Sequence, residues 1–256
     1  MDVEIATRLI NLNRQFYQTF AHQFSATRQR IQPGVQRVIE NMPNQGKILD
    51  LGCGNGEFWL ALTRRGFHGI YVGIDFSKEM IEIASRNCHI NKESVTTKSP
   101  DENQAFFINV DLSTRHWHGQ IPKISFDRIF AFALIHHLPG HDLHLRTLRR
   151  VRNLLSPGGL LVHSEWQFIN NPRLRGRILD WKEIGLSKDL VDEGDYLLDW
   201  RHGGYGLRYV HLFSEEELSA LAQESGFRIS QTFHSDGKGG ESSLYQIWET
   251  NSDRIG

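Results

Sequence analysis

Cysteine is scarce. Cys53 and Cys88 are the only two in 256 residues, too few for a disulfide framework or a four-cysteine zinc site. Charge of one sign is also lacking: Lys and Arg number 29 against 30 Asp and Glu. No global basic field gathers nucleic acid, so any RNA or DNA contact must use a local patch. No apolar run approaches the ~20 residues of a membrane helix. Asp2 and Glu4 stand where a secretory leader would place its basic and apolar regions. These absences predict a soluble, cytoplasmic protein without membrane attachment. What is present is an ordinary globular mixture, 39% hydrophobic and 23% charged, which excludes wholesale disorder and fibrous repeats.

The first forty residues read as helical. Leu9, Leu12, Phe16, Phe20 and Phe24 recur at helical spacing, and Pro33-Gly34 opens a second helix that ends near Pro43. From residue 47 short apolar runs alternate with longer amphipathic stretches. The runs are Lys47–Leu51, Gly69–Asp75, Ala105–Val110, Ser125–Ala133 and Gly159–Glu165; the helices between them are Gly56–Arg65, Lys78–Ile90 and Asp142–Leu155. Such alternation predicts a parallel sheet with helices on both faces. Residues 92–104 read as a polar surface loop. Residues 168–210, rich in Gly and aromatics, are too long for slack and read as a lid or binding insertion. A helix from Ser214 to Ser225 and strands Phe227–Phe233 and Ser243–Trp248 then close the chain, adding one antiparallel edge strand.

Ile48-Leu49-Asp50-Leu51-Gly52-Cys53-Gly54-Asn55-Gly56 runs a buried strand through a tight glycine turn into a helix. Glycines let the backbone approach a ligand, and the helix start behind them offers unpaired N–H groups. The Gly-x-Gly-x-Gly spacing differs from the Gly-x-Gly-x-x-Gly of nicotinamide and flavin folds. The second strand ends in Asp75, at the distance where an acid grips ribose hydroxyls, and the third ends in Asp111. Three such elements at one sheet edge suit an adenosine ligand. No Gly-Lys-Ser/Thr loop is present to bind a nucleoside triphosphate.

With these motifs in order over residues ~46–166, the chain resembles the class I S-adenosylmethionine (SAM) methyltransferases. The resemblance implies a Rossmann-like, seven-stranded, mostly parallel sheet, here with an N-terminal helical cap (1–45) before the methyltransferase domain (46–256). Asp50, Gly52, Cys53, Gly54 and Gly56 would surround the methionine part of SAM. Asp75 would take the ribose, Phe76 the adenine face, and Asp111 and Leu112 the adenine edge; Ala131 and Phe132 would lie beside the sulfonium.

Further segments resemble one subgroup, the tRNA wobble-uridine carboxymethyl methyltransferases. These are Phe16–Arg28 with its Ser-x-Thr-Arg ending, Ala133-Leu134-Ile135-His136-His137-Leu138, Leu161–Trp166, Asp195–Trp200 and Arg208–Phe213, where Val210 replaces the usual aromatic. The subgroup implies esterification of 5-carboxymethyluridine in tRNA, assisted by a small zinc-binding activator protein. A small-metabolite acceptor and a catalytically silent SAM-binding partner are the alternatives. A carboxylate is ionised at pH 7 and needs no base, only a cation to hold it, which Arg provides bidentately. Arg208 with His211, and then Arg28, are the candidates; His136 could orient the acceptor or act as a base, and Trp166 or Tyr209 could stack on it.

Three other features have plainer readings. His136, His137, His141 and His144 lack a cysteine partner or a His-Glu-x-x-His spacing, so no metal is expected. Arg146, Arg149, Arg150, Arg152, Arg173, Arg175 and Arg177 are either a solvated face or a phosphate patch. Seven acids between residues 178 and 200 would repel a phosphate backbone passing there.

Overall fold

The structure is a computed structural model that describes residues 1–27, 30–94 and 103–251. Three helices open the chain: α1 (Val3–Thr19), α2 (Ala21–Thr27) and α3 (Pro33–Glu40). Asp2 caps α1 by accepting from the Glu4 N–H, and Leu9, Asn13 and Phe16 form its buried face. The aromatic spacing runs on through Phe20, but the helix does not, because Phe20 is the residue where α1 ends. Pro33 starts α3 at a position where its missing N–H costs no hydrogen bond.

Strands and helices then alternate: β1 (Gln45–Leu51), α4 (Glu57–Arg64), β2 (His68–Asp75), α5 (Lys78–Ser94), β3 (Asn103–Asn109), β4 (Phe126–Phe132), α6 (His141–Leu154) and β5 (Leu155–Trp166). Most of the expected polar loop, residues 95–102, lies outside the described residues. After α7 (Pro172–Arg175) come β6 (Ile178–Leu179), β7 (Asp195–Trp200) and β8 (Gly206–His211), then α8 (Glu215–Ser225), β9 (Phe227–Ser235) and β10 (Ser243–Thr250). The main sheet has the order β3-β2-β1-β4-β5-β10-β9. It is parallel except for β10, which runs antiparallel between β5 and the outermost strand.

Successive residues of each strand face opposite sides, so the sheet has two cores. Leu49, Val72, Ile129 and Leu161 pack against Leu148 and Val151 of α6 and Leu221 of α8. Their neighbours Ile48, Tyr71, Phe130 and Val162 pack against Val38 of α3 and Phe58 and Leu62 of α4. The 168–210 insertion folds as a separate antiparallel sheet, β6-β7-β8. It lies on α1, with Leu197 and Tyr209 around Leu9 and Trp200 against Phe16. Among the described residues no helix is long and apolar enough to cross a membrane.

The basic stretch divides. Arg149 donates to the Glu224 carbonyl and Arg152 to the Gly226 carbonyl, at the C-terminus of α8. Arginines there satisfy orphan carbonyls and the negative end of the helix dipole. Arg146 donates to the Ser113 carbonyl.

Candidate active site

A cavity of about 530 Å³ opens at the carboxyl edge of the main sheet. Its inner half is made by strand ends. Past β1, Gly52, Gly54 and Gly56 take φ of +70°, +54° and +79°, a region that L side chains rarely adopt. A Cβ on Gly52 would meet Leu134 at 2.9 Å, whereas one on Gly54 would meet nothing within 4 Å, so the turn at Gly54 borders open space. Asp75 holds this loop in place: its carboxylate accepts from Gly54 N–H (3.1 Å) and from Ser77 N–H (2.8 Å). Burial pushes the Asp75 carboxyl up to about 6, against those backbone hydrogen bonds. Asp50 is buried and accepts from the Tyr71 hydroxyl; burial pushes it up to about 7. Phe76, Leu112 and Phe132 line the same half together with Asp50, Gly52, Cys53 and Gly54. Gly56 stands behind them as the left-handed N-cap of α4, and Ala131 lies in the sheet core.

Helix α1 roofs the cavity with residues that motif reading missed. Ile10, Asn13, Arg14 and Tyr17 line it, at spacings that put them on one helical face, and this periodicity was the available signal. Arg14 pairs with Asp111, which also accepts from Ser113 N–H (2.9 Å) and Oγ (2.7 Å). Asn13 is buried; its Nδ2 donates to the His137 and Tyr209 carbonyls and its Oδ1 accepts from Tyr209 N–H. Asn13 therefore ties α1 to the β4 exit and to β8 at once.

The outer half is assembled from distant segments. Trp166, Leu174 and Tyr245 form walls, and Arg30 is an exposed cation on the lining. Asp236, at φ +72°, accepts from Gly34 N–H (2.9 Å) and from the Tyr245 hydroxyl (2.7 Å), which pins the start of α3 over β10. A Cβ on Gly34 would overlap the Tyr245 ring at 2.3 Å, so only glycine permits this approach. His137 faces the cavity. Its Nδ1–H donates to the Tyr209 carbonyl (3.2 Å), leaving Nε2 to accept from the Tyr17 hydroxyl (2.8 Å).

The residues expected to handle the acceptor take other places. Arg208 is 2% exposed and sits behind Trp166. Its guanidinium carbon lies 4.6 Å from the Trp166 ring centre and 5.5 Å from those of Phe16 and Trp200. His211 lies between Asp195 (2.6 Å) and Glu217 (2.9 Å), away from the cavity lining. Burial opposes its charge, but the two carboxylates hold its pKa up at about 9. His136 is fully buried and donates from Nδ1 to Glu165, which also accepts from His163 Nδ1. Burial alone would raise Glu165; the two imidazoles hold it below the usual carboxylate range. The His136 ring also lies against the Trp166 indole, with ring centres 5.1 Å apart. Tyr209 is fully buried and donates to Asp195. Arg28 lies outside the described residues. His141 pairs with exposed Glu224, and His144 bonds the Leu138 carbonyl. Among the described residues, no group of three His, Cys, Asp or Glu is placed to hold a metal ion.

A Rossmann-like sheet whose glycine turn and acidic strand ends meet in one cavity defines a fold that binds a nucleoside cofactor. The chain matches the family described as Methyltransferase domain over residues 20–232, and it belongs to that family. It is 24% identical over 240 residues to the tRNA (carboxymethyluridine(34)-5-O)-methyltransferase of Schizosaccharomyces pombe, covering 90% of this chain and 92% of that one. An Encephalitozoon cuniculi protein with a provisional methyltransferase name is 26% identical over 218 residues, covering 84% and 86%. Among solved structures, a SAM-dependent methyltransferase from Methanosarcina mazei has a TM-score of 0.62 at 22% identity, covering 86% of this chain and 98% of that one. A methyltransferase from Haloferax volcanii, solved in complex with the Trm112 methyltransferase activator, has a TM-score of 0.63 at 15% identity, covering 94% and 98%. The protein is a SAM-dependent methyltransferase. The inner half fits that cofactor: open space fronts the Gly54 turn, and the Asp75 carboxylate faces it from the next strand.

Proposed function

We propose that this methyltransferase esterifies the carboxylate of a carboxymethyl-modified wobble uridine in tRNA. The observation that carries the proposal is a cation in the outer half together with carboxylates and an imidazole that, among the described residues lining the cavity, already hold partners. Asp236 is occupied by Gly34 and Tyr245, Glu57 by Arg64, and both ring nitrogens of His137 by Tyr209 and Tyr17. An amine or hydroxyl acceptor would need one of them to take its proton; an ionised carboxylate does not. Arg30 is the cation that lines this half among the described residues. The resemblance to a fungal enzyme that acts on tRNA carboxymethyluridine supports the same acceptor.

Bound SAM supplies a methyl group already activated by its sulfonium. The chain's own work is then alignment and exclusion of water. Arg30 holds the carboxylate, Trp166 and Tyr245 sandwich or flank the base, and α1 covers both halves through Asn13. Arg208, boxed behind Trp166, is a positioning residue that stiffens the indole through cation–π contact. A small zinc-binding activator is proposed as partner, in line with the activator-bound neighbour.

The test uses methyl-labelled SAM with bulk tRNA carrying carboxymethyluridine, with and without such an activator, counting label before and after mild alkali. Alkali-labile label on tRNA is the expected result. Stable label would move the acceptor to nitrogen, carbon or ribose. Label on a metabolite extract alone, or on nothing, would replace the proposal with a small-molecule enzyme or a silent binder.

A further inference from the structure

Resting on the RNA part of that reading, we infer that Arg173, Arg175 and Lys238 form a phosphate-binding rim at the cavity mouth, and that the arginines of α6 lie outside it. Leu174 of α7 lines the cavity. Its helical neighbours project about 100° to either side, so Arg173 and Arg175, both exposed, flank the opening. Across from them Gly237 lines the cavity and the next residue, Lys238, is exposed. The two segments touch: Asn170 Nδ2 donates to the Glu241 carbonyl (3.1 Å) and Gln167 N–H to the Ser242 carbonyl (2.9 Å). Their cations therefore share one lip, which continues inward to Arg30. Glu241, exposed in the same turn as Lys238, and the buried Asp236 are the acids on this side; against Arg173, Arg175, Lys238 and Arg30 they leave the lip net positive.

Part of the acidic stretch is turned away from this lip. Asp195 and Asp199 of the acidic stretch are buried and paired with His211 and Arg201. The segment Trp181–Val191 packs against Ile5, Leu9 and Leu12, a face of α1 other than the one that lines the cavity through Ile10, Asn13, Arg14 and Tyr17. On α6, Arg146, Arg149 and Arg152 are tied to backbone carbonyls. Guanidinium and ammonium groups on exposed, unburdened side chains suit the phosphodiesters of a single-stranded loop that delivers one base into the cavity.

The test measures anisotropy of a labelled anticodon stem-loop RNA bound to the full chain, saturated with S-adenosylhomocysteine, between 50 and 200 mM KCl. R173Q/R175Q is expected to weaken binding at least tenfold at 100 mM and to flatten the log–log salt slope by about 1.4, at roughly 0.7 per phosphate contact. K238Q should remove about half as much slope. R149Q/R150Q, with the same charge change as the α7 pair, should stay within twofold of wild type. S-adenosylhomocysteine affinity in each preparation reports an intact fold, and K238Q, on a glycine-rich turn, keeps the test standing if the α7 pair unfolds. A wild type that binds RNA while the rim variants bind equally well, or while the α6 pair loses as much, overturns the rim and leaves the RNA reading in place. A wild type with no salt-sensitive RNA binding overturns both.

Discussion

The inner and outer halves of the cavity are built by different means. The inner half uses backbone: a glycine turn that borders open space, its N–H groups at Gly52, Cys53, Gly54 and Gly56 spent on Ile74, Asp75 and Cys53, and an acid at the end of the adjacent strand, all within residues 50–77 apart from the Asp111 edge. The outer half uses side chains brought from the α2–α3 connection, β5, α7 and the β9–β10 hairpin, with Gly34 and Asp236 bonded across 202 residues. Backbone recognition leaves a contiguous motif because only glycine tolerates the geometry. Side-chain recognition leaves no such mark, since any segment that folds into the right place can supply the group.

That contrast can be broken most directly at Asp75. Asp75→Ala removes the acceptor for Gly54 and Ser77 and the grip on the cofactor, so SAM affinity by calorimetry should fall more than 100-fold with acceptor affinity little changed. Retained micromolar affinity would mean that the inner half does not hold SAM as argued. Asn13→Ala should act on both halves together. It strands the His137 and Tyr209 carbonyls and the Tyr209 N–H, at a cost of about 2–4 kcal/mol in thermal or urea unfolding, and it should weaken SAM and acceptor in parallel. A loss confined to one ligand would show that α1 roofs only one half.

Arg30→Gln should act on the outer half alone, raising the acceptor KM about tenfold, the scale of a lost charge-assisted bond, with SAM affinity within twofold. A fall in SAM affinity of similar size would dissolve the division between the halves. The smallest effect is expected from the His211 network, which belongs to neither. His211 titrates at about 9 in the fold against 6.5 free, so its contribution to stability is complete below pH 6.5 and is lost as pH rises through 9. The melting temperature should fall over that window, and Glu217→Gln should shrink the fall without moving SAM affinity. A parallel shift in SAM affinity would connect the network to the site.

The strand–helix alternation, a mostly parallel sheet with helices on both faces, and the glycine turn after β1 were legible in the sequence. Alternation places Ile48 and Leu49 on opposite cores, Ser214 caps α8 by accepting from Glu217 N–H, and Gly226 ends it in the left-handed region. Each of these depends on neighbours a few residues away. Arg208 and His211 carried the right chemistry for a carboxylate but face an aromatic box and a pair of acids. Nothing local distinguishes such a residue from one that points into the cavity. Nothing local marks Asp236 as the anchor for the start of α3.

The sequence by itself determined the alternating sheet and the glycine turn at its edge, because backbone dihedrals and hydrophobic period are local properties, and the order of motifs along that edge carried the resemblance to SAM methyltransferases. Only the tertiary structure decided which cations line the cavity. It placed Arg30 on the cavity, Arg208 behind Trp166, and the α6 arginines on the carbonyls of α8. The exposure and partners of a charged side chain are set by whatever segment folds against it, and that segment can lie anywhere in the chain.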